Sequence, residues 1–169
     1  MAKLDLTQLL VRDATEEDLD ALEALRPLGA RHGDHIRAAH PARSRYLLAD
    51  LDEQIVGTVL LYFTPEAGWD RRDQLPLMLD LWVPEHLRSQ GIGTALVAGA
   101  EQFAMAAGFG HLYLRVEPDR NPRAFALYKR LGYQALQNQP YEDSHHFVDS
   151  AGNVHEGVEW VVDMRKWLA

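Results

Sequence analysis

Val83-Pro84-Glu85-His86-Leu87-Arg88-Ser89-Gln90-Gly91-Ile92-Gly93-Thr94-Ala95-Leu96 is the stretch that decides how this chain is read. It runs from an apolar strand end through a short polar loop into Arg-x-x-Gly-x-Gly opening a helix. The first N–H groups of a helix have no intrahelical partner and sit at the positive end of its dipole, so such a start attracts phosphate. Gly91 and Gly93 carry no Cβ, so an anion can come close to the backbone. Arg88 adds a fixed, forked positive charge. The chemistry implied is the cradling of a pyrophosphate.

Three pyrophosphate loops compete. A kinase-type loop ends in Gly-Lys-Ser/Thr, whereas Gly93 is followed by Thr94-Ala95 with no lysine. A dinucleotide-binding fingerprint needs a third small residue where Leu96 stands, and a shorter, less charged approach to its glycines. Glu117 lies at about the distance at which that fingerprint places its acid, but the loop does not fit. The third candidate depends on the rest of the chain.

The 169 residues suit one domain with a sizeable core. There are no cysteines, which excludes a disulfide scaffold, thiolate metal sites and a cysteine nucleophile. That fits a reducing cytoplasm, as does a start, Met1-Ala2-Lys3-Leu4-Asp5, without the plan of a signal peptide. No apolar run reaches the ~20 residues of a membrane span. A net charge of −8 argues against nucleic acid as partner and favours a cationic one, such as an amine.

Leu9-Leu10-Val11-Arg12 reads as an opening strand. Thr15 caps a helix with an acidic first turn and Leu19, Leu22 and Leu25 on one face, stopped by Pro27. Residues 28–44 read as a loop with a second short helix. Tyr46–Leu51 and Ile55–Phe63 are strands joined at Asp52-Glu53-Gln54. After a charged loop at 64–74, Leu75 to Val83 is an apolar strand. Helix Ile92–Ala107 follows, with Leu96, Phe103 and Ala107 on its inner face and Gly108 beyond its end.

His111–Val116 is the next strand. Asn121-Pro122 opens a helix as cap and first residue, with Ala124, Leu127, Tyr128 and Leu131 on one face and Gly132 at its end. Tyr133–Leu136 starts a strand. His145–Val148 and Val158–Met164 pair as a hairpin around Ser150-Ala151-Gly152-Asn153, with Val158, Trp160, Val162 and Met164 on a half-buried face. The predicted fold is α/β: a mixed sheet of six to seven strands flanked by about four helices.

The segment Arg88–Thr94, the strand before it and Ala124-x-x-x-Tyr128-x-x-x-Gly132-Tyr133 together resemble the GCN5-related N-acetyltransferase (GNAT) family. By element order the resemblance covers residues 9–136, with its specific motifs in 79–133. It implies one N-acetyltransferase domain over residues 1–169. The activity implied is acetyl transfer from acetyl-CoA, as co-substrate and without a metal, to a primary amine of a small molecule. The rivals are a non-catalytic acyl-CoA sensor and a peptide or protein N-acetyltransferase.

The resemblance also assigns roles. Arg88, Ser89, Gln90, Gly91, Ile92, Gly93 and Thr94 would cradle the pyrophosphate of acetyl-CoA. The backbone of Leu81, Trp82 and Val83 would pair with the pantetheine arm and polarise the acetyl carbonyl. Asn121 would hydrogen-bond the pantetheine, beside Ala124, and is equally a helix cap. Tyr128 would protonate the departing thiolate, and is otherwise a core aromatic.

Asp80, the only acid inside its strand, is the first candidate base, or else a paired charge; Glu117 is the second. Asp80 and Trp82 are expected on one face, opposite Leu79, Leu81 and Val83. Tyr141, Glu142, His145 and His146 are candidate acceptor contacts. The histidine groups His32, Asp34, His35, His40 and His145, His146, Asp149, His155 lack a metal-ligand spacing and read as polar-loop residues. Homodimers are common in the family, and Trp160 and Trp167 suit either an interface or the core.

Overall fold

A computed structural model describes residues 3–66, 73–148 and 151–169. The expected loop at 64–74 and the expected turn at 150–153 therefore fall partly outside the described residues, as does Asp149. Among the described residues there are eight strands and four α-helices, a mixed α/β architecture with slightly more strands than expected. The chain forms two compact units, residues 1–112 with 168–169 and residues 113–167.

The first unit is built on four antiparallel strands in the order β1 (Leu9–Asp13), β2 (Ser44–Leu51), β3 (Gln54–Tyr62) and β4 (Leu77–Trp82). β2 and β3 are buried on both faces, so they read as nearly continuous apolar runs. One face carries Tyr46, Leu48, Leu60 and Tyr62, packed with Leu22, Ile36 and Leu79. Leu22 lies on α1 (Leu19–Leu25) and Ile36 on α2 (Arg31–Ala38), the short second helix.

The opposite face is covered by α3 (Ile92–Ala106) through Ile92, Leu96, Val97, Ala100 and Ala104. Two glycines allow that approach. A Cβ on Gly99 would lie 2.5 Å from Val11 Cγ1, and one on Gly57 would lie 2.9 Å from both Leu96 Cδ1 and the Trp82 carbonyl oxygen. The inner stripe ends at Ala104. Ala107, expected on it, is an exposed cap residue one turn too far.

Thr15 marks the start of the first helical segment as expected, but the turn at Glu16–Asp18 is 3₁₀ before α1 begins. Asp18 closes it by accepting from Thr15 N at 2.8 Å. The Arg12 guanidinium donates to both Asp18 oxygens at 2.9 and 2.8 Å and to Asp50 at 3.0 Å. This holds the Asp18 carboxyl below the usual carboxylate range. The strand expected from Leu75 begins at Leu77, because Pro76 has no N–H to give to a ladder.

In the second unit, β5 (from His111 in the first unit to Val116) lies beside β8 (Val154–Trp167). β8 also pairs with the two-residue β6 (Gln134–Ala135) and, over its first half, with β7 (Tyr141–Val148). Counting β6 separately accounts for the eighth strand. α4 (Pro122–Arg130) turns Tyr128 into this unit's core with Tyr133, Val161, Val162 and Met164.

β8 is twice as long as the sequence reading made it, and its burial changes half-way. Val158 and Trp160 are exposed where β7 is the partner, whereas Val161 to Met164 are all buried. A two-stranded arm has no covered face; a strand flanked on both sides within a packed sheet has two. The expected half-buried alternation from Val158 to Met164 therefore does not hold.

Candidate active site

The loop between β4 and α3 is fixed by its own backbone. Pro84 is followed by a 3₁₀ turn over Glu85–Leu87, and Arg88 Nε donates to the Val83 carbonyl at 2.9 Å. That bond ties the start of the glycine motif to the end of β4. The chain then passes through two left-handed residues, Ser89 at φ 61° and Gly91 at φ 98°. Gly91 is the cap of α3, with no side chain supplying a hydrogen bond there. The first N–H groups of a fifteen-residue helix therefore emerge beside a residue with no side chain.

Gln90 has a second task. Its side-chain oxygen accepts from Leu4 N at 3.0 Å, which binds the N-terminal segment to the loop. A Cβ on Gly91 would meet Leu6 Cδ1 at 3.0 Å, so the same segment limits what can stand at that position. Leu81, Trp82, Val83 and Arg88 through Thr94 thus form one continuous piece of the first unit.

β4 is irregular where the sequence expects the acetyl carbonyl. Thr58 pairs with Trp82 and Leu60 with Leu79, so β3 advances two residues while β4 advances three. The extra residue is a bulge, and Asp80 within it has φ 51°. Strict alternation is lost across it. Leu79 and Asp80, expected on opposite faces, both border the cluster around Tyr46 and Tyr62.

Asp80 is not a free carboxylate. Arg26, from the end of α1, donates to its two oxygens at 2.8 and 3.0 Å and stacks 5.0 Å over the Trp82 ring. Of the two readings open for Asp80, a base or a paired charge, the geometry displays the pair.

α2 brings two histidines to this side of the sheet. His32 is buried, with Nε2 donating to the Arg26 carbonyl at 2.7 Å and Nδ1 at 2.8 Å from the Tyr46 hydroxyl. His35 is half-buried, its ring 5.2 Å from that of Tyr46. Burial pushes the His35 imidazole below its usual range, partly offset by the carboxylates of Asp80, Glu66 and Asp34. Burial and the charges of Glu66 and Asp80 push the Tyr62 hydroxyl well above the ordinary range. Tyr46, Tyr62 and Arg26 were not singled out from the sequence. Period-2 alternation along β2 and β3 was the one available signal for the two tyrosines.

In the second unit Asn121 caps α4, its Oδ1 accepting from Ala124 N at 3.2 Å. Tyr128, two turns on, is 7% exposed and meets Tyr133 edge-on at 6.0 Å. Glu117 precedes α4, and its carbonyl accepts from Asn121 N at 2.8 Å. Glu142, His145 and His146 lie on β7, with His145 packed over Gly157, where a Cβ would stand 2.7 Å from the imidazole.

Tyr141, expected to contact the acceptor, uses its hydroxyl otherwise. It reaches both oxygens of Asp163 at 2.8 Å, and Arg115 Nε and Gln137 Nε2 donate to the same carboxylate at 2.8 and 2.9 Å. Asp163 is fully buried. Asp163→Ala would leave Arg115, Gln137 and Tyr141 without that acceptor, and is expected to destabilise the protein by about 3–5 kcal/mol. Urea denaturation measures this; an unchanged midpoint would contradict it.

Among the described residues no group of three or more His, Asp or Glu side chains could hold a metal ion, and no helix is long and apolar enough to cross a membrane. Trp160 and Trp167 are 53% and 65% exposed, not core.

The fold has many solved counterparts. An acetyltransferase of the GNAT family from Streptococcus pneumoniae superposes with a TM-score of 0.64 at 21% identity, covering 95% of this chain and 99% of that one. Arabidopsis thaliana NAA60, solved in complex with acetyl-CoA, gives 0.65 at 17%, covering 94% and 98%. Nourseothricin acetyltransferase gives 0.61 at 22%, covering 96% and 100%. The search of curated proteins returns no match. The family model described as "Acetyltransferase (GNAT) family" matches residues 4–133, most of the chain and all of the glycine loop. The chain therefore belongs to the GNAT acetyltransferase family, the acetyl-CoA-dependent acyltransferases that the loop and helix motifs predicted.

Proposed function

We propose that the protein moves an acetyl group from acetyl-CoA to the primary amine of a small molecule by direct attack. The observation that carries this reading is the left-handed Gly91 cap at the start of α3, held against the end of β4 by the Arg88–Val83 bond. Arg88, Ser89, Gln90, Gly91, Ile92, Gly93 and Thr94 cradle the pyrophosphate, largely through backbone N–H groups. The backbone of Leu81, Trp82 and Val83 takes the pantetheine and polarises the thioester carbonyl, just past the point where the Asp80 bulge interrupts the β3–β4 register. Asn121, beside Ala124, hydrogen-bonds the pantetheine, and Tyr128 protonates the departing thiolate.

A small-molecule acceptor agrees with the acidic chain and with the name of nourseothricin acetyltransferase among the structural neighbours. Thiol release from acetyl-CoA, measured against amines, polyamines, amino acids and short peptides, tests the reading. Release with a small amine supports it. Release with peptides alone would replace it by protein acetylation. Tight acetyl-CoA binding without release would replace it by a sensor.

A further inference from the structure

The amine must lose a proton before it can attack, and the strand acid expected to take it is committed to Arg26. We infer that His35, on α2, is the base that deprotonates the acceptor amine. This rests on the acetyl-transfer reading above. His35 is held beside the Tyr46 ring at 5.2 Å, on the face that also carries Tyr62 and borders the Asp80 bulge. A ring in that place is a proton acceptor on the sheet face that Leu79, one residue before the Asp80 bulge, also packs against.

The surroundings suit the role. His32 and Asp34 face His35 from its own helix, Tyr46 from β2, Glu66 from the segment after β3, and Asp80 from β4. His32 is committed to the Arg26 carbonyl and Tyr46, Asp34 to Arg37 at 2.7 Å, and Asp80 to Arg26. Burial disfavours the imidazolium and so favours the neutral ring, which has a lone pair to offer. Glu66 and Asp80 then favour the cation once a proton has been taken. A base needs both properties.

The step balances. An imidazole nitrogen of His35 takes one proton from the ammonium of the acceptor. The amine lone pair forms the C–N bond at the thioester carbonyl carbon, the C–S bond breaks, and its electron pair leaves on sulfur. The second proton lost by the nitrogen balances the one gained by the thiolate. His35 returns its proton to solvent.

His35→Gln and His35→Ala are the test, read by kcat, by the pH profile of kcat/KM and by calorimetry with acetyl-CoA. The expected result is a fall in kcat of about 100-fold or more. The acid limb of the wild-type profile disappears, acetyl-CoA affinity is unchanged, and added imidazole partly rescues His35→Ala. The sign follows from the base being active when neutral: wild-type kcat/KM falls as pH drops through the His35 titration. Retained kcat with an unchanged acid limb in folded His35→Gln would overturn the inference while leaving acetyl transfer standing. Should His35→Gln not fold, histidine NMR titration of the wild type decides. An acid limb matching His35 supports the inference, and one displaced from it overturns it. Failure of the wild type to acetylate any amine would overturn the underlying reading as well.

Discussion

Tyr128→Phe is expected to lower kcat by about 100-fold or more while leaving acetyl-CoA affinity intact. The substitution separates the two roles that the sequence left open for this residue. The ring is 7% exposed and packs on Tyr133, and phenylalanine keeps that packing. Losing the hydroxyl alone costs a neutral core position about 1 kcal/mol, so the fold persists. A residue that only packs would leave kcat unchanged. One that protonates the leaving thiolate would not, and the loss would shrink for acyl donors with less basic thiols. Steady-state kinetics paired with thermal melting reads both effects on the same samples, and an unchanged kcat would return Tyr128 to the core.

Gly91→Val attacks the other half of the proposal. At φ 98° a β-branched residue is a genuine outlier, and the left-handed region alone costs an L-residue about 1–2 kcal/mol. Its Cβ would also stand 3.0 Å from Leu6 Cδ1. The loop must shift, and the first N–H groups of α3 shift with it. Each hydrogen bond to a charged group is worth about 1.5–3 kcal/mol, so losing one or two raises the Kd for acetyl-CoA by about 100-fold. Calorimetry measures it directly. An unchanged Kd in a folded variant would show that the anion is held elsewhere.

What could be read from the sequence follows from how local each signal is. The Arg88–Thr94 loop and the Asn121 cap are short-range chemistry: a glycine where φ is positive, an asparagine one residue before a proline. Both were legible, and with them the family. The Asp80–Arg26 pair joins residues 54 apart, and nothing in either neighbourhood announces it. The strand itself was legible but its bulge was not, because alternation in Leu79-Asp80-Leu81-Trp82 is the same with or without an inserted residue.

His35 illustrates the same limit. Within Arg31-His32-Gly33-Asp34-His35 it looked like one of several loop histidines. Only α2 packing on β2 separates it from His32, whose two ring nitrogens are already engaged. Asp163 stood unremarked in a Val-Val-Asp-Met run, because its partners arrive from two distant segments, Arg115 from β5 and Gln137 and Tyr141 from the stretch 137–141. β8 was under-read for a related reason: pairing with β7 gives its first half no covering layer, which no pattern within the strand encodes.

Mass spectrometry of the acceptor after incubation with acetyl-CoA tests the central claim most directly, using whichever small amine gives thiol release. The account predicts one acetyl group on the acceptor's primary nitrogen for each CoA thiol freed. Thiol release with an unmodified acceptor would contradict it, since water rather than an amine would then be receiving the acetyl group.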